Sequence, residues 1–146
     1  DAAQHALRLL GPTLGEVVFE AADAIEVGVE AAAGDSLDLV EHELSVPEGE
    51  GIRFDTMLYE GYTIPPFYDS LLGKLIVHAE SREVCLEKLA TTLEQLKIEG
   101  VATTVPLHLA LAKDATVASG DYHTRFLEAW LDTDFAKLAD PKEEVA

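Results

Sequence analysis

Arg53 is the side chain whose type and setting most favour chemistry. It lies in IRFDTMLY (52–59), where apolar and polar residues alternate as they do in a β-strand. This alternation places Arg53 and Asp55 on one face of the strand, and Ile52 and Phe54 on the other. A guanidinium keeps its charge and offers a planar fork of donors, which suits an oxyanion that develops during a reaction. The alternative is a strand arginine paired with one of the many acids, and composition alone favours that alternative.

The segment YTIPPFYDS (62–70) is the second unusual feature. Two consecutive prolines stiffen it and remove two backbone donors, while Tyr62, Phe67 and Tyr68 give it amphipathic bulk. Two interpretations are open: the loop lines a pocket, or it anchors a crossover against the core.

Net charge excludes several classes of function. The chain has 146 residues with 28 acidic and 10 basic side chains, a formal net charge of −18. Such a surface repels nucleic-acid phosphates, and it disfavours ATP unless a metal ion or a local basic patch helps.

Apolar runs are too short for a membrane helix, and no basic–apolar signal sequence begins the chain. One cysteine, Cys85, rules out an internal disulfide and is compatible with a reducing cytosol.

Hydrophobic periodicity predicts strands first and helices later. The segments that favour strands are 16–21, 24–31, 39–46, 52–59 and 74–81. Lys74, in the last of these, carries a charge in an apolar run that needs a partner, and Asp69 is the candidate. Strands followed by helices, rather than strict alternation, predict an α+β domain with an antiparallel sheet packed by helices.

The helical half carries recognisable start and stop signals. Residues 81–100 place leucines on one helix face, with Ser81 suited to the N-terminal cap and Gly100 to the stop. Pro106 fits the first turn of a second helix. Asp121 is the candidate cap of a third helix, on which Tyr122, Phe126 and Trp130 share a face.

Standard catalytic and metal-binding signatures do not occur in the sequence. It contains no GxGxxG, Walker A, HExxH, GxSxG or CxxC motif. No two histidines stand at metal-ligand spacing, so we expect them to be structural or exposed and predict no metal site; they are His5, His42, His78, His108 and His123.

Residues 47–83, PEGEGIRFDTMLYEGYTIPPFYDSLLGKLIVHAESRE, resemble the C-terminal domain of biotin carboxylase. Biotin carboxylase is the ATP-dependent component of acetyl-CoA, propionyl-CoA and pyruvate carboxylases. The motifs that carry the resemblance are its R-x-[DE] strand, its G-Y-x-[IV]-x-P-[FY]-Y-D-S loop and its GKLI strand. The resemblance continues through LEQLKIEGVATTVPLHLAL and YHTRFLEAWL, and so covers roughly residues 47–131. Thr104 stands where the family usually has Asn.

The first 46 residues match less well. AIEVGVEA (24–31) is similar to the family's H-A-I-E-x-R-x-x-A-E-D strand, but Gly28 replaces the arginine and no Glu-Asp pair follows. We therefore divide the chain into an uncertain β-rich segment (1–46), a domain like the C-terminal domain of biotin carboxylase (47–131) and an acidic tail (132–146).

The resemblance implies site residues. In the family, bicarbonate attacks the γ-phosphate of Mg·ATP to give carboxyphosphate, and the released carbon dioxide carboxylates the ureido nitrogen of biotin. The arginine that matches Arg53 contacts bicarbonate and biotin and stabilises the biotin oxyanion. Residues that would bind substrate or support that wall are Asp55, Tyr62, Tyr68 and Asp69. His78 and Arg82 match positions near the family's dimer interface, where the first is often Phe.

The resemblance also implies what this chain lacks. The family's nucleotide lid, ATP-binding lysines, metal-binding glutamate and bicarbonate base lie in an upstream ATP-grasp region. We therefore expect a fragment or split subunit of a cytoplasmic ligase, or of a mitochondrial or plastid one in a eukaryote, inactive alone. Its expected partners are the ATP-grasp region, a biotin carboxyl carrier domain, a carboxyltransferase of fatty acid or acyl-CoA metabolism, and a second copy. Biotin would be the substrate, and Mg·ATP and bicarbonate would bind elsewhere in the parent enzyme. The rival hypothesis is a non-catalytic interaction module that retains the fold.

Overall fold

A computed structural model describes residues 24–31, 37–38, 44–64 and 70–135. Its strands are β1 (Ala24–Glu30), β2 (Leu37–Asp38), β3 (Leu44–Ser45), β4 (Ile52–Thr56), β5 (Thr63–Ile64), β6 (Leu71–His78) and β7 (Lys97–Ile98). Its helices are α1 (Arg82–Gln95), α2 (Val105–Ala112), α3 (Ala115–Ser119) and α4 (Phe126–Trp130), which runs into a π-helical turn, Leu131–Phe135.

The main sheet is antiparallel, with β6 between β1 and β4. Val27 lies opposite Leu75 in one ladder, and Ile52 lies opposite Val77 in the other. Two short antiparallel ladders, β2–β5 and β3–β7, accompany it. The prediction of an α+β domain with an antiparallel sheet packed by helices is confirmed.

One face of the main sheet is buried under the helices. The core contains Ile25, Val27, Leu75 and Val77 from the sheet and Cys85, Leu86, Leu89, Leu93, Leu107 and Leu111 from α1 and α2. These positions alternate along the strands and recur every three or four residues along α1, as burial on one face requires. A smaller cluster of Ala31, Leu58, Ile64 and Leu72 lies beside it.

The outer edge of β1 is covered by the segment that starts α2. The Thr104 amide donates to the Glu30 carbonyl at 3.1 Å, and the Glu30 amide donates to the Thr104 hydroxyl at 3.0 Å. His108 Nε2 lies 2.8 Å from the Gly28 carbonyl oxygen. These contacts satisfy backbone groups that an open sheet edge would leave exposed.

Helix α1 begins as expected and ends earlier. The Ser81 side chain accepts a hydrogen bond from the Val84 amide, so the predicted cap is confirmed. Gly100 is not the stop, because the helix ends at Gln95 and Leu96 is extended. The apolar spacing continues past that end because Leu96 still faces the interior, while Lys97–Ile98 pairs with β3.

Pro106 occupies the first turn of α2, as predicted. Asp121 is not the cap of the next helix, because α4 begins after Arg125, whose side chain makes no capping hydrogen bond. The ring centroids of Tyr122 and Phe126 lie 5.6 Å apart and those of Phe126 and Trp130 lie 6.5 Å apart, so the predicted aromatic face is confirmed.

The predicted strands at 24–31, 52–59 and 74–81 correspond to β1, β4 and β6. Strand β4 stops at Thr56, and β6 starts at Leu71, three residues earlier than expected. The predicted strand at 16–21 lies outside the described residues. Of the predicted strand at 39–46, residues 39–43 also lie outside them, and Leu44–Ser45 forms β3. Within the described part, no helix combines the length and apolar composition that a membrane span requires.

Candidate functional site

The second face of the main sheet, which we name the open face, carries the candidate site. It is defined by Glu26, Gly28, Arg53, Asp55, Lys74 and Ile76, which alternate with the core residues of the same strands. Ile76 lies between Glu26 and Arg53 in one cross-strand row, and Lys74 lies between Gly28 and Asp55 in the next. The predicted placement of Arg53 and Asp55 on one face is therefore confirmed.

Two ion pairs lie on the open face. Arg53 Nη2 is 3.0 Å from Asp55 Oδ2, with the two side chains 69% and 52% exposed. Lys74 Nζ is 3.0 Å from Glu26 Oε1, so Glu26 is one partner of the lysine. Asp69, the partner predicted from the sequence, lies outside the described residues. Each pair is neutral, so these four side chains add no net charge to a chain that carries −18.

These ion pairs orient side chains more than they stabilise the fold. Exposed pairs contribute about 0–1 kcal/mol, because water screens the attraction and ordering two long side chains costs entropy. The Arg53 guanidinium lies beside Asp55, and most of the Arg53 side chain is exposed to solvent. It is thus available to an incoming anion or polar group.

The inward side chains of β4 anchor the strand that carries Arg53. Ile52 and Phe54 pack against the core. The Phe54 ring occupies the space over Gly73, where an added Cβ would lie 2.6 Å from the ring. At the far end of the strand, the Thr56 hydroxyl donates to the Leu72 carbonyl at 2.5 Å.

Tyr62 belongs to a small aromatic cluster after β4. Its hydroxyl lies 3.4 Å from Met57 Sδ, and its ring centroid is 5.1 Å from that of Tyr59 in an edge-to-face arrangement. Tyr62 also packs against the cluster that contains Leu58. Tyr68 and Asp69, the other loop residues assigned to the site, lie outside the described residues.

His78 and Arg82, assigned to an interface, both make contacts within the chain. The exposed His78 is at the end of β6, where its amide donates to the Gly51 carbonyl at 2.7 Å. Arg82 donates to the Val117 carbonyl at 2.7 Å and to the Ala118 carbonyl at 3.3 Å, which ties the start of α1 to α3. Their role in an interface stays a prediction.

His108 is one of the histidines that the sequence analysis expected to be structural or exposed. It is buried, and because a carbonyl only accepts, its Nε2 carries the hydrogen that bonds the Gly28 carbonyl. Its Nδ1 has no hydrogen-bond partner. Burial lowers the pKa of His108 below its usual 6.5, and the hydrogen bond to Gly28 offsets part of that shift. His78 and His123 are exposed.

Side chains that bind metal ions are not clustered among the described residues. No three His, Cys, Asp or Glu side chains among them come together as a metal site. What the open face does offer is an oriented guanidinium, which suits the stabilisation of negative charge on a bound oxygen.

The described residues thus form an antiparallel sheet with one face under helices and an exposed arginine on the other. The family model for the biotin carboxylase C-terminal domain matches residues 40–129, more than half of the chain. The chain belongs to this family.

Individual relatives agree. The chain is 40% identical over 84 residues to biotin carboxylase 1 of Bacillus subtilis, which covers 58% of this chain and 19% of that protein. The solved biotin carboxylase domain of a single-chain bacterial carboxylase matches with a TM-score of 0.72 at 29% identity, over 80% of this chain and 27% of the other. The biotin carboxylase domain dimer of Hydrogenobacter thermophilus 2-oxoglutarate carboxylase, solved with MgADP, ADP and bicarbonate, matches with a TM-score of 0.67 at 38% identity over 73% and 24%. The chain thus spans about a fifth to a quarter of the length of these proteins.

Proposed function

We propose that this chain supplies the Arg53 wall of a site for ATP- and bicarbonate-dependent carboxylation of biotin. The observation that carries the proposal is the Arg53 guanidinium, oriented by Asp55 and 69% exposed on the open face. As the ureido nitrogen gives its proton to the phosphate released from carboxyphosphate and attacks carbon dioxide, negative charge would accumulate on the ureido oxygen. Arg53 would donate hydrogen bonds to that oxygen and so lower the barrier.

The remaining machinery would come from an ATP-grasp region. That region would bind Mg·ATP and bicarbonate, and biotin would arrive on a carrier domain. A carboxyltransferase would then pass the carboxyl group to an acyl-CoA or keto acid, so this chain would not select the final acceptor. The assembled enzyme is a ligase, and we place it in the cytoplasm, or in a mitochondrion or plastid in a eukaryote.

We assign supporting roles to the neighbours of Arg53. Asp55 would hold the guanidinium, and the segment from Tyr62 to Tyr68 and Asp69 would brace that wall. His78 and Arg82 would lie near the contact with a second copy. We also propose that the domain extends from residue 47 to residue 131 and that an acidic tail follows it.

A chimaera tests the proposal directly. Residues 24–129 of this chain, which include β1 with Gly28, would replace the matching segment of Bacillus subtilis biotin carboxylase 1. We expect bicarbonate-dependent ATP cleavage and carboxylation of free biotin by the chimaera. The isolated chain should give neither, and turnover by that chain alone would contradict the proposed division of labour.

The rival function is a non-catalytic interaction module. Gly28 supports this function, because the matching strand of biotin carboxylases has an arginine at this position. Gly28 lies on the open face, directly opposite Lys74. A folded chimaera without turnover, as judged by its melting temperature and near-ultraviolet circular dichroism, would favour the module. Recovery of turnover by Gly28→Arg would trace the loss to this position.

A further inference from the structure

We propose that Lys88 is a positioning residue for Arg53, an inference that depends on the function proposed above. Lys88 is on α1, on the helix-covered side of the sheet, and is half-buried. Its Nζ donates to the carbonyl of Glu50 at 3.1 Å and to that of His78 at 3.0 Å. One ammonium group therefore joins the turn before β4 to the last residue of β6.

The turn that Lys88 holds determines where β4 begins. The Ile52 amide donates to the Gly49 carbonyl at 3.1 Å, and the His78 amide donates to the Gly51 carbonyl at 2.7 Å. Gly51 has a φ of +73°, which favours glycine, and an added Cβ would lie 2.4 Å from the His78 carbonyl oxygen. Lys88 Nζ would lie 3.1 Å from the same Cβ. The ammonium group thus contacts a turn that is packed so closely that only glycine fits at position 51.

Arg53 is two residues beyond this turn, so a shift of the turn moves the guanidinium. Within the described part of the chain, β4 pairs with β6 alone, and a strand held by one ladder depends on its ends. The far end is held by Thr56 and by the Phe54 ring over Gly73. The near end is held by Gly51 and Lys88.

Lysine suits this position chemically. Its ammonium group has three donors and no acceptor, so one side chain serves two carbonyl oxygens at once. Methionine keeps most of the apolar stem and removes every donor. Lys113 provides the control, because it is exposed and its Nζ pairs with Glu94 Oε1 at 2.7 Å, without a backbone carbonyl of the sheet. Lys88→Met and Lys113→Met change the net charge equally.

The first experiment tests the positioning itself in the 146-residue chain. We expect Lys88→Met to speed hydrogen exchange of the His78 amide roughly tenfold, because the turn that accepts it opens more often. The Arg53 Nε–H signal should shift, while exchange of the buried Leu89 amide stays unchanged. Lys113→Met should change none of these, and Lys88→Arg should restore protection. Unchanged exchange at His78 and an unchanged Arg53 signal would overturn the proposal, whatever the chain does chemically.

The second experiment tests the consequence for the reaction in the chimaera. Lys88→Met should lower kcat for biotin carboxylation by roughly tenfold with the KM for ATP unchanged, since a misplaced oxyanion donor affects the chemical step. Lys88→Arg should recover most of the rate, and Lys113→Met should keep all of it. An opened turn with an unchanged kcat would overturn the positioning role. An inactive unsubstituted chimaera would instead count against the proposed function, and the exchange data would still decide whether Lys88 holds the turn.

Discussion

The two faces of the main sheet are built from the same three strands, but one is stabilised by apolar burial and the other carries exposed ion pairs. On the covered face, Val27, Leu75 and Val77 are at most 2% exposed, and full burial of such a side chain is worth about 1.5–3 kcal/mol. On the open face, Arg53 and Asp55 are more than half exposed and their ion pair is worth about 0–1 kcal/mol. The covered face therefore determines stability, and substitutions on the open face should cost little of it.

The largest effect should come from the covered face. Leu75→Ala should lower the free energy of unfolding by about 3 kcal/mol, because the central strand loses apolar contacts and keeps a cavity. Urea denaturation would measure this. Ile76→Ala, its half-buried neighbour on the open face, should cost about 1 kcal/mol or less. Equal losses at the two positions would contradict the division between faces.

The reverse pattern should hold for activity. In the chimaera, Arg53→Ala should reduce biotin carboxylation by about a hundredfold or more, the scale of losing one oxyanion donor. Its melting temperature should stay close to that of the parent, since the side chain is exposed. A variant with near-normal turnover, or one that melts far lower, would make Arg53 structural and favour the interaction module.

Acid should weaken the covered face through His108. The pKa of His108 is lower in the folded chain than in the unfolded chain. Below about pH 6.5, the unfolded chain therefore binds more protons at His108 than the folded chain does. The stability that His108 contributes is therefore complete above about pH 6.5 and falls as the pH drops, by up to about 1.4 kcal/mol per unit.

Among the described residues, none of the side chains that line the cavity beside the imidazole is charged. The residues around the imidazole cavity are Val27 of β1, Leu86 and Leu89 of α1, Val117 of α3, and Leu111 and Ala112 of α2. Glu26 pairs with Lys74 on the open face, and Lys88 reaches the turn before β4. Glu83, Glu87 and Glu94 line the outer groove of α1 with Lys113, and the Asp114 carboxylate accepts from the Trp130 indole.

Melting curves between about pH 7.5 and 5 check this prediction. His108→Gln keeps a donor for the Gly28 carbonyl and should flatten the loss on acidification. His78→Gln, which changes an exposed imidazole, should leave the loss intact. If His108→Gln retained the full dependence, another group would be responsible.

The smallest effect concerns association. We expect the face around the 62–68 loop, His78 and Arg82 to bind a second copy, because this domain, without the rest of the enzyme proposed above, would expose surface that the enzyme covers. A net charge of −18 per chain opposes this, and salt screens that repulsion over about 10 Å or less. Sedimentation at low and high ionic strength should show a dimer favoured by salt. A monomer under both conditions that binds no hydrophobic dye would refute it.

Local rules in the sequence predicted much of this arrangement. Alternation placed Arg53 and Asp55 on one face, Ser81 marked the start of α1, and Pro106 marked the first turn of α2. Each of these features depends on residues that are close in sequence, so backbone geometry and side-chain chemistry determine it independently of the tertiary fold. The motif resemblance added the family, which the family model confirms.

Only the tertiary structure decided which distant groups meet. Lys74 pairs with Glu26, 48 positions earlier in the printed sequence, and Lys88 bonds the carbonyl of Glu50, 38 positions away. Helix α1 ends at Gln95 because Lys97–Ile98 pairs with β3, a contact that the helical leucine spacing does not encode. His108 meets Gly28 across 80 positions. The sequence by itself determined the local elements and their faces, because periodicity and capping are local; the partners of Lys74, Lys88 and His108 required the packed chain, because a hydrogen bond or an ion pair depends on proximity in space.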